Sequence, residues 1–352
     1  MEKHGGNIYR YDHRMYDFSA NLNPAGMPAA VSQGVADHIG DYESYPDPDQ
    51  TELRSTIAEY YNISVSRVCC GNGAADLIFR IALGLKPKKA LIVSPTFSEY
   101  REALSLAECH ICDYILERED GFRLDDRILT RIRDERPDII FLCNPNNPTG
   151  ITVPKDLVIS VIYEAKRAGA RVVIDECFME FVMGAGHYSV MSEIERLPNV
   201  IILKSFTKYY AMAGLRLGYC ICGDPDTADI IRGCMQAWPV STVCSVAGIA
   251  ALRSEDPRDE IRASIALQRE RLMSGLLDLG FMAWPSEANY IFFCSDFPLD
   301  DALRERDILI RNCSNYVGLG DGYYRIAVRT AEENDYFLAM LRQVVSERNQ
   351  HE

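Results

Sequence analysis

Residues 205–219 read SFTKYYAMAGLRLGY and continue the apolar run VIILKS at 200–205, so that Ser205, Thr207, Lys208 and Arg216 gather around a turn of small residues. A lysine at the end of a buried strand is costly unless its amine is used. Burial disfavours the ammonium, lowers its pKa and frees a neutral amine to attack an aldehyde, which makes Lys208 a candidate Schiff-base lysine. The hydroxyls of Ser205 and Thr207 and the guanidinium of Arg216 are suited to a phosphate beside it. Taken alone, the same set also fits a surface turn.

Upstream, ALIVS at 90–94, DIIFLC at 138–143 and RVVID at 171–175, with VIILKS itself, alternate with amphipathic segments such as 155–168. That alternation predicts an α/β fold with a mostly parallel central sheet covered on both faces. Ligands of such sheets collect at the carboxyl ends of the strands, so Asn144, Asp175 and Ser205 are the first positions to inspect. Asp175, in DECF, can keep a ring nitrogen protonated, or it can cap a loop. Asn147, in the rigid turn NPNNPTG at 144–150, can donate its amide to a ring hydroxyl, or belong to an ordinary Asn-Pro turn. In CCGNGAAD at 69–76, the glycines let backbone N–H groups approach a phosphate at the start of a helix.

From about residue 246 the pattern changes to a long helix (257–279), then ANYIFF, DILIRNC and YYRIAV as strands and a final helix at 331–345, which predicts a smaller α+β domain. The first forty-odd residues hold Gly5, Gly6, Asn21, Asn23, Pro24, Gly26 and Pro28 and read as an arm lying against the rest. The expected division is a large unit at 45–245, with 1–44 and 246–352 forming the arm and the small C-terminal domain.

Composition narrows the function. The 352 residues are 47% apolar and 25% charged, as in a soluble globular enzyme, and no apolar run is long enough to span a bilayer. Thirty-seven basic against 51 acidic residues give a net charge of -14, which repels a phosphodiester backbone and argues against nucleic-acid binding. The polar start MEKHGGNIYRYDHR lacks the apolar stretch of a secretory signal, so a reducing cytoplasm is expected. The twelve cysteines then read as thiols packed in apolar strands, and the CxxC at Cys109 and Cys112 has no second ligand pair, so no metal is expected.

Together the four motifs, in this order and each after a strand, resemble the fold-type-I, aminotransferase-like family of pyridoxal-phosphate enzymes. The resemblance implies a PLP-dependent transferase-like fold and pyridoxal 5'-phosphate as cofactor. It implies Lys208 as the lysine that binds the cofactor aldehyde, Asp175 as the partner of the pyridinium nitrogen, and Asn147 as the contact of the ring hydroxyl. The cofactor phosphate falls to Gly73 and Ala74 through their backbone N–H groups, with Ser205, Thr207 and Arg216. Phe97, in SPTFSEY, matches the aromatic that stacks on the ring, and a core phenylalanine is its plain alternative. Tyr45, in ESYPDPDQ, matches a tyrosine lent to the neighbouring subunit's cofactor phosphate, which implies a homodimer. Arg325, in YYRIAV, matches the arginine that clamps the substrate α-carboxylate. Arg329 lies two strand periods on, on the same expected face.

Outside these motifs, HGGNIYRY at 4–11, DFSANLNPAGMP at 17–28, ESYPDPDQ at 43–50 and LIRNCSNYVGLGDGYYRIAVRT at 309–330 look like the threonine-phosphate decarboxylases of cobalamin biosynthesis, relatives of the histidinol-phosphate aminotransferases. The implied activity is decarboxylation of threonine phosphate, or of a close relative such as serine phosphate, to an amino-alcohol phosphate. Transamination is the runner-up and a non-catalytic regulator a minor alternative. Both substrates are phosphorylated amines. Arg311 matches the arginine offered to the substrate phosphate, and His4 is a looser candidate. Phe178 stands where many histidinol-phosphate aminotransferases have tyrosine, which weakens the aminotransferase reading.

Overall fold

The computed structural model describes residues 4–255 and 257–351. A short strand of the arm, β1 (Tyr16–Asp17), precedes seven strands of a central sheet: β2 (Val68–Gly71), β3 (Lys89–Ser94), β4 (His110–Ile115), β5 (Ile139–Cys143), β6 (Arg171–Asp175), β7 (Val200–Ser205) and β8 (Gly218–Cys222). Their order is β2-β8-β7-β6-β5-β3-β4, with β8 antiparallel to both its neighbours and the rest parallel. The central strands are apolar without alternation because helices cover both faces, and every residue of β5 and of Val172–Asp175 is buried. Helix Lys155–Ala168 shows why the covering segments fold as they do: Val158, Val161, Ile162 and Ala165 form one buried stripe, and Gly169, at φ +82°, stops the helix in the left-handed region.

A second sheet contains β9 (Met282–Trp284), β10 (Tyr290–Cys294), β12 (Arg311–Asn312) and β13 (Tyr323–Ala327), in the order β12-β13-β10-β9 and antiparallel throughout. Helix Arg258–Asp278 packs beside it, and helix Ala331–His351 packs on that helix. They approach closely at Gly275, where a Cβ would come within 2.5 Å of the Leu338 side chain.

Three expectations change. DILIRNC is not one strand: β11 (Ile308–Leu309) runs parallel to β1 of the arm, whereas Arg311 and Asn312 have crossed to the small sheet as β12. Arg329 does not share a strand face with Arg325, because β13 ends at Ala327 and Arg329 pairs with Glu333 at the start of the last helix. The arm is more than turns, since helix Ala29–Asp37 packs against helix Thr242–Arg253.

The cysteines of the described residues are free thiols, most of them buried, with Cys234 exposed. Cys69, Cys220 and Cys222 bring their sulfurs within 4.8 Å of one another on one face of β2 and β8, a convergence the sequence spacing does not show. Among the described residues no helix is long and apolar enough to cross a membrane.

Candidate active site

The carboxyl ends of β5, β6 and β7 open into a cavity of about 410 Å³, where doubly wound sheets place their ligands. Its walls bring together residues far apart in sequence: Ala74, Phe97, Asn147, Asp175, Ser205, Thr207, Lys208 and Arg216 from the central sheet side, Arg311 and Arg325 from the small sheet, and His4 from the arm.

Asp175 ends β6 and is buried, with both carboxylate oxygens held. Tyr100 donates its hydroxyl to Oδ2 at 2.5 Å, and the backbone N–H of Cys177 donates to Oδ1 at 2.9 Å. Two donors fix the direction of the carboxylate. Lys208 lies in the one-turn helix Phe206–Tyr209, whose first residues are set by Ser205: its Oγ accepts from the N–H of Thr207 at 3.1 Å. Burial pulls the Lys208 pKa down from 10.5 to about 8, with the nearby guanidinium groups of Arg325 and Arg216 pushing the same way. The amine lies 5.7 Å from the ring centre of Phe178, which turns its edge on Tyr290.

Arg216 takes φ +62° and lays its guanidinium over Gly73, where a Cβ would come within 2.8 Å of Nη2. Gly73 itself stands at φ +84° and opens the thirteen-residue helix Gly73–Leu85, so its missing side chain is what lets an anion-binding arginine reach that helix start. Phe97 lines the cavity, edge-on to Tyr100 and tilted against His4, while His4 meets Glu99 at 2.8 Å.

Arg325 donates from Nη1 to Oδ1 of Asn147 and from Nη2 to the backbone oxygen of Ser19 at 2.8 Å, and it sits 5.4 Å over the ring of Tyr290. Arg311, only 4% exposed, donates to the Asn312 carbonyl at 2.6 Å and to Oδ1 of Asn315 at 2.9 Å, with Tyr316 beneath it. It borders both this cavity and a larger one of about 690 Å³ lined also by His4, Arg10 and Arg304.

Two residues singled out in the sequence lie away from this cavity. Tyr45 is 79% exposed and stacks on Trp238 at 4.2 Å, outside the cavity walls. Asn144 turns away from the cavity to bind the backbone of Val153 and the carbonyl of Tyr188, so it secures the turn that carries Asn147.

Sequence reasoning missed Tyr100, three positions after Phe97 in a motif read only for its phenylalanine. It also missed Asn21, read only as a turn former. Asn21 lines the cavity, and neither its amide nitrogen nor its amide oxygen has a partner among the described residues. The Nε of Arg325 is likewise buried and unpartnered there. Buried polar atoms without partners beside a cavity are atoms a bound ligand satisfies. A carboxylate floor, a lysine of lowered pKa, an arginine over a glycine-opened helix and these unpaired donors together fit a phosphorylated pyridine aldehyde.

Residues 13–341 match the family described as Aminotransferase class I and II. The chain is 34% identical to threonine-phosphate decarboxylase of Salmonella typhimurium, covering 97% of this chain and 96% of that protein. It is 33% identical to the adenosylcobalamin biosynthesis bifunctional protein of Leptospira interrogans, over 95% of this chain and 40% of that protein. Among solved structures, histidinol-phosphate aminotransferase from Clostridium acetobutylicum superposes with a TM-score of 0.87 at 28% identity, covering 94% and 99% of the two chains. The chain therefore belongs to the class I and II aminotransferase family and is a pyridoxal-phosphate-dependent enzyme of fold type I.

Proposed function

We propose that the enzyme decarboxylates L-threonine O-3-phosphate, or a close phosphorylated amino acid such as serine phosphate, to an amino-alcohol phosphate for cobalamin biosynthesis. The observation that carries this reading is Arg311: a nearly buried guanidinium on the small sheet borders the cavity that holds Lys208 and Asp175. A desolvated guanidinium is matched to a phosphate. The full-length likeness to threonine-phosphate decarboxylase supports the same choice.

Pyridoxal phosphate, bound there, supplies an electron sink for the charge left at Cα when a bond to it breaks. Ser205, Thr207 and Arg216, with the N–H groups of Gly73 and Ala74, would hold its phosphate. Phe97 would cover one ring face and Asn147 the ring hydroxyl. Asp175, steadied by Tyr100 and Cys177, would hold a proton on the ring nitrogen. Arg325 orients the α-carboxylate so that its bond to Cα is the one that breaks, with a grip loose enough to release CO2. Lys208, freed from the cofactor once substrate binds, would return a proton to Cα. Arg311, with His4 at the rim, takes the substrate phosphate.

The same reading carries a cytoplasmic homodimer in which the exposed Tyr45 completes the neighbouring site. It also carries the division into a cofactor unit at 45–245 and an arm with a small domain at 1–44 and 246–352. Transamination of histidinol phosphate is the second reading, favoured by the aminotransferase of similar structure. Against it stands Phe178, which brings no hydroxyl to the ring.

Arg311→Ala tests the phosphate assignment. KM for threonine phosphate should rise by the equivalent of about 2–5 kcal/mol, while KM for threonine stays put. An equal loss on both substrates would place Arg311 in the scaffold.

A further inference from the structure

Glu176 follows Asp175 in sequence and Lys204 precedes Ser205, and these two meet. Lys204 Nζ lies 3.0 Å from Glu176 Oε2 and 3.1 Å from Glu180 Oε1, with Glu176 fully buried and Lys204 4% exposed. The pairing spans two neighbouring parallel strands. Asp175 registers with Leu203, and the N–H of Glu176 donates to the Leu203 carbonyl at 2.9 Å. Successive strand residues face opposite ways, so Lys204 points away from the side to which Ser205 turns.

The pair is itself braced. Ser189 donates to Glu176 Oε2 at 2.9 Å, and Arg258 donates to Glu180 Oε2 at 2.7 Å. Arg262 donates to the Glu180 backbone oxygen at 2.8 Å, so the long helix Arg258–Asp278 reaches the cluster through two arginines. Burial works against the Lys204 ammonium, but the carboxylates of Glu180 and Glu176 outweigh it and hold its pKa above the ordinary lysine range. Burial likewise works against the Glu180 carboxylate, and Lys204 and Arg258 overturn it.

A buried ion pair is a weak source of stability, since apolar residues of similar volume are often as good or better. Its cost is understandable where it fixes a geometry. We infer that Lys204 and Glu176 are positioning residues, clamping the ends of β6 and β7 so that Asp175 and the Ser205–Lys208 turn keep one separation across the cofactor. This rests on the proposed cofactor contacts of those residues and is independent of which bond at Cα breaks.

The test is the double variant Lys204→Met with Glu176→Gln, which removes both charges together and leaves Glu180 its partner Arg258. Cofactor affinity is read by equilibrium dialysis of pyridoxal phosphate. The pH midpoint of the visible absorption band of the Lys208-bound cofactor is read in the absence of substrate. The expected result is a thermal midpoint within a few degrees of wild type, a cofactor Kd raised on the order of tenfold, and a displaced spectral midpoint. Lys204→Arg alone, with Glu176 intact, keeps the charge and the pairing and should leave both readouts at their wild-type values. Wild-type Kd and spectral midpoint in the double variant would overturn the inference, as would a loss of stability alone with both readouts unchanged in the folded fraction. Asp175→Asn is the companion control. If it leaves the spectrum untouched, the cofactor contacts themselves are wrong, which separates that failure from this one.

Discussion

Arg325 on the small sheet donates to the side-chain oxygen of Asn147 on the turn after β5, and its other terminal nitrogen closes on the Ser19 carbonyl of the arm. One guanidinium thus joins the three parts of the chain that surround the cavity. Arg325→Lys keeps the charge but cannot hold both acceptors. Losing a charged hydrogen bond should cost about 1.5–3 kcal/mol in stability, read by chemical denaturation. KM for the amino-acid substrate should rise at least about tenfold, which is about 1.4 kcal/mol. Unchanged KM with lowered stability would make Arg325 a strut and remove it from carboxylate binding.

Asp175→Asn should still bind the cofactor, because the phosphate contacts lie on other residues, but an amide cannot hold the ring proton. The turnover rate should drop by on the order of 10²–10³-fold in steady-state assays at saturating cofactor. Near wild-type turnover would reduce Asp175 to a loop cap.

Tyr100→Phe removes one of the two donors to Asp175 and leaves the backbone N–H of Cys177 in place. A carboxylate held by one donor in place of two is free to turn away from the ring nitrogen, so turnover should fall by up to about tenfold, the worth of one hydrogen bond, while stability changes little. Unchanged turnover would show that Tyr100 only fills space against Phe141.

Most of the site was legible in sequence because its chemistry sits at strand ends, and strand ends follow from apolar runs that stop at a polar residue. Asp175, Asn147 and the Ser205–Lys208 turn were found that way. Arg311 was found only by resemblance, since the run around it reads as one strand and its change of sheet depends on pairing with the arm. Tyr100 and Asn21 escaped for a related reason. What marks them is a partner gained, or left unmade, across long sequence separation, and no local pattern encodes that.

Lys208 carries a pH signature. An ordinary lysine in the unfolded chain titrates near 10.5 and the folded one near 8, so between those values the unfolded state binds more protons. Stability of the cofactor-free protein should therefore rise with pH across that window relative to Lys208→Met, and be lowest below pH 8. Reductive methylation of Lys208 in the cofactor-free protein should show a midpoint near pH 8. A midpoint near 10.5 would mean that the amine is solvated and not poised.

Decarboxylase and aminotransferase differ in which bond at Cα breaks. The purified enzyme, loaded with pyridoxal phosphate, is given threonine phosphate labelled in its carboxyl carbon, with no oxo-acid present, and the headspace is counted. Label released as CO2, with one amino-alcohol phosphate formed per CO2, is the expected result. Retention of the label in threonine phosphate, together with glutamate formed from histidinol phosphate only when histidinol phosphate and 2-oxoglutarate are both supplied, would contradict it.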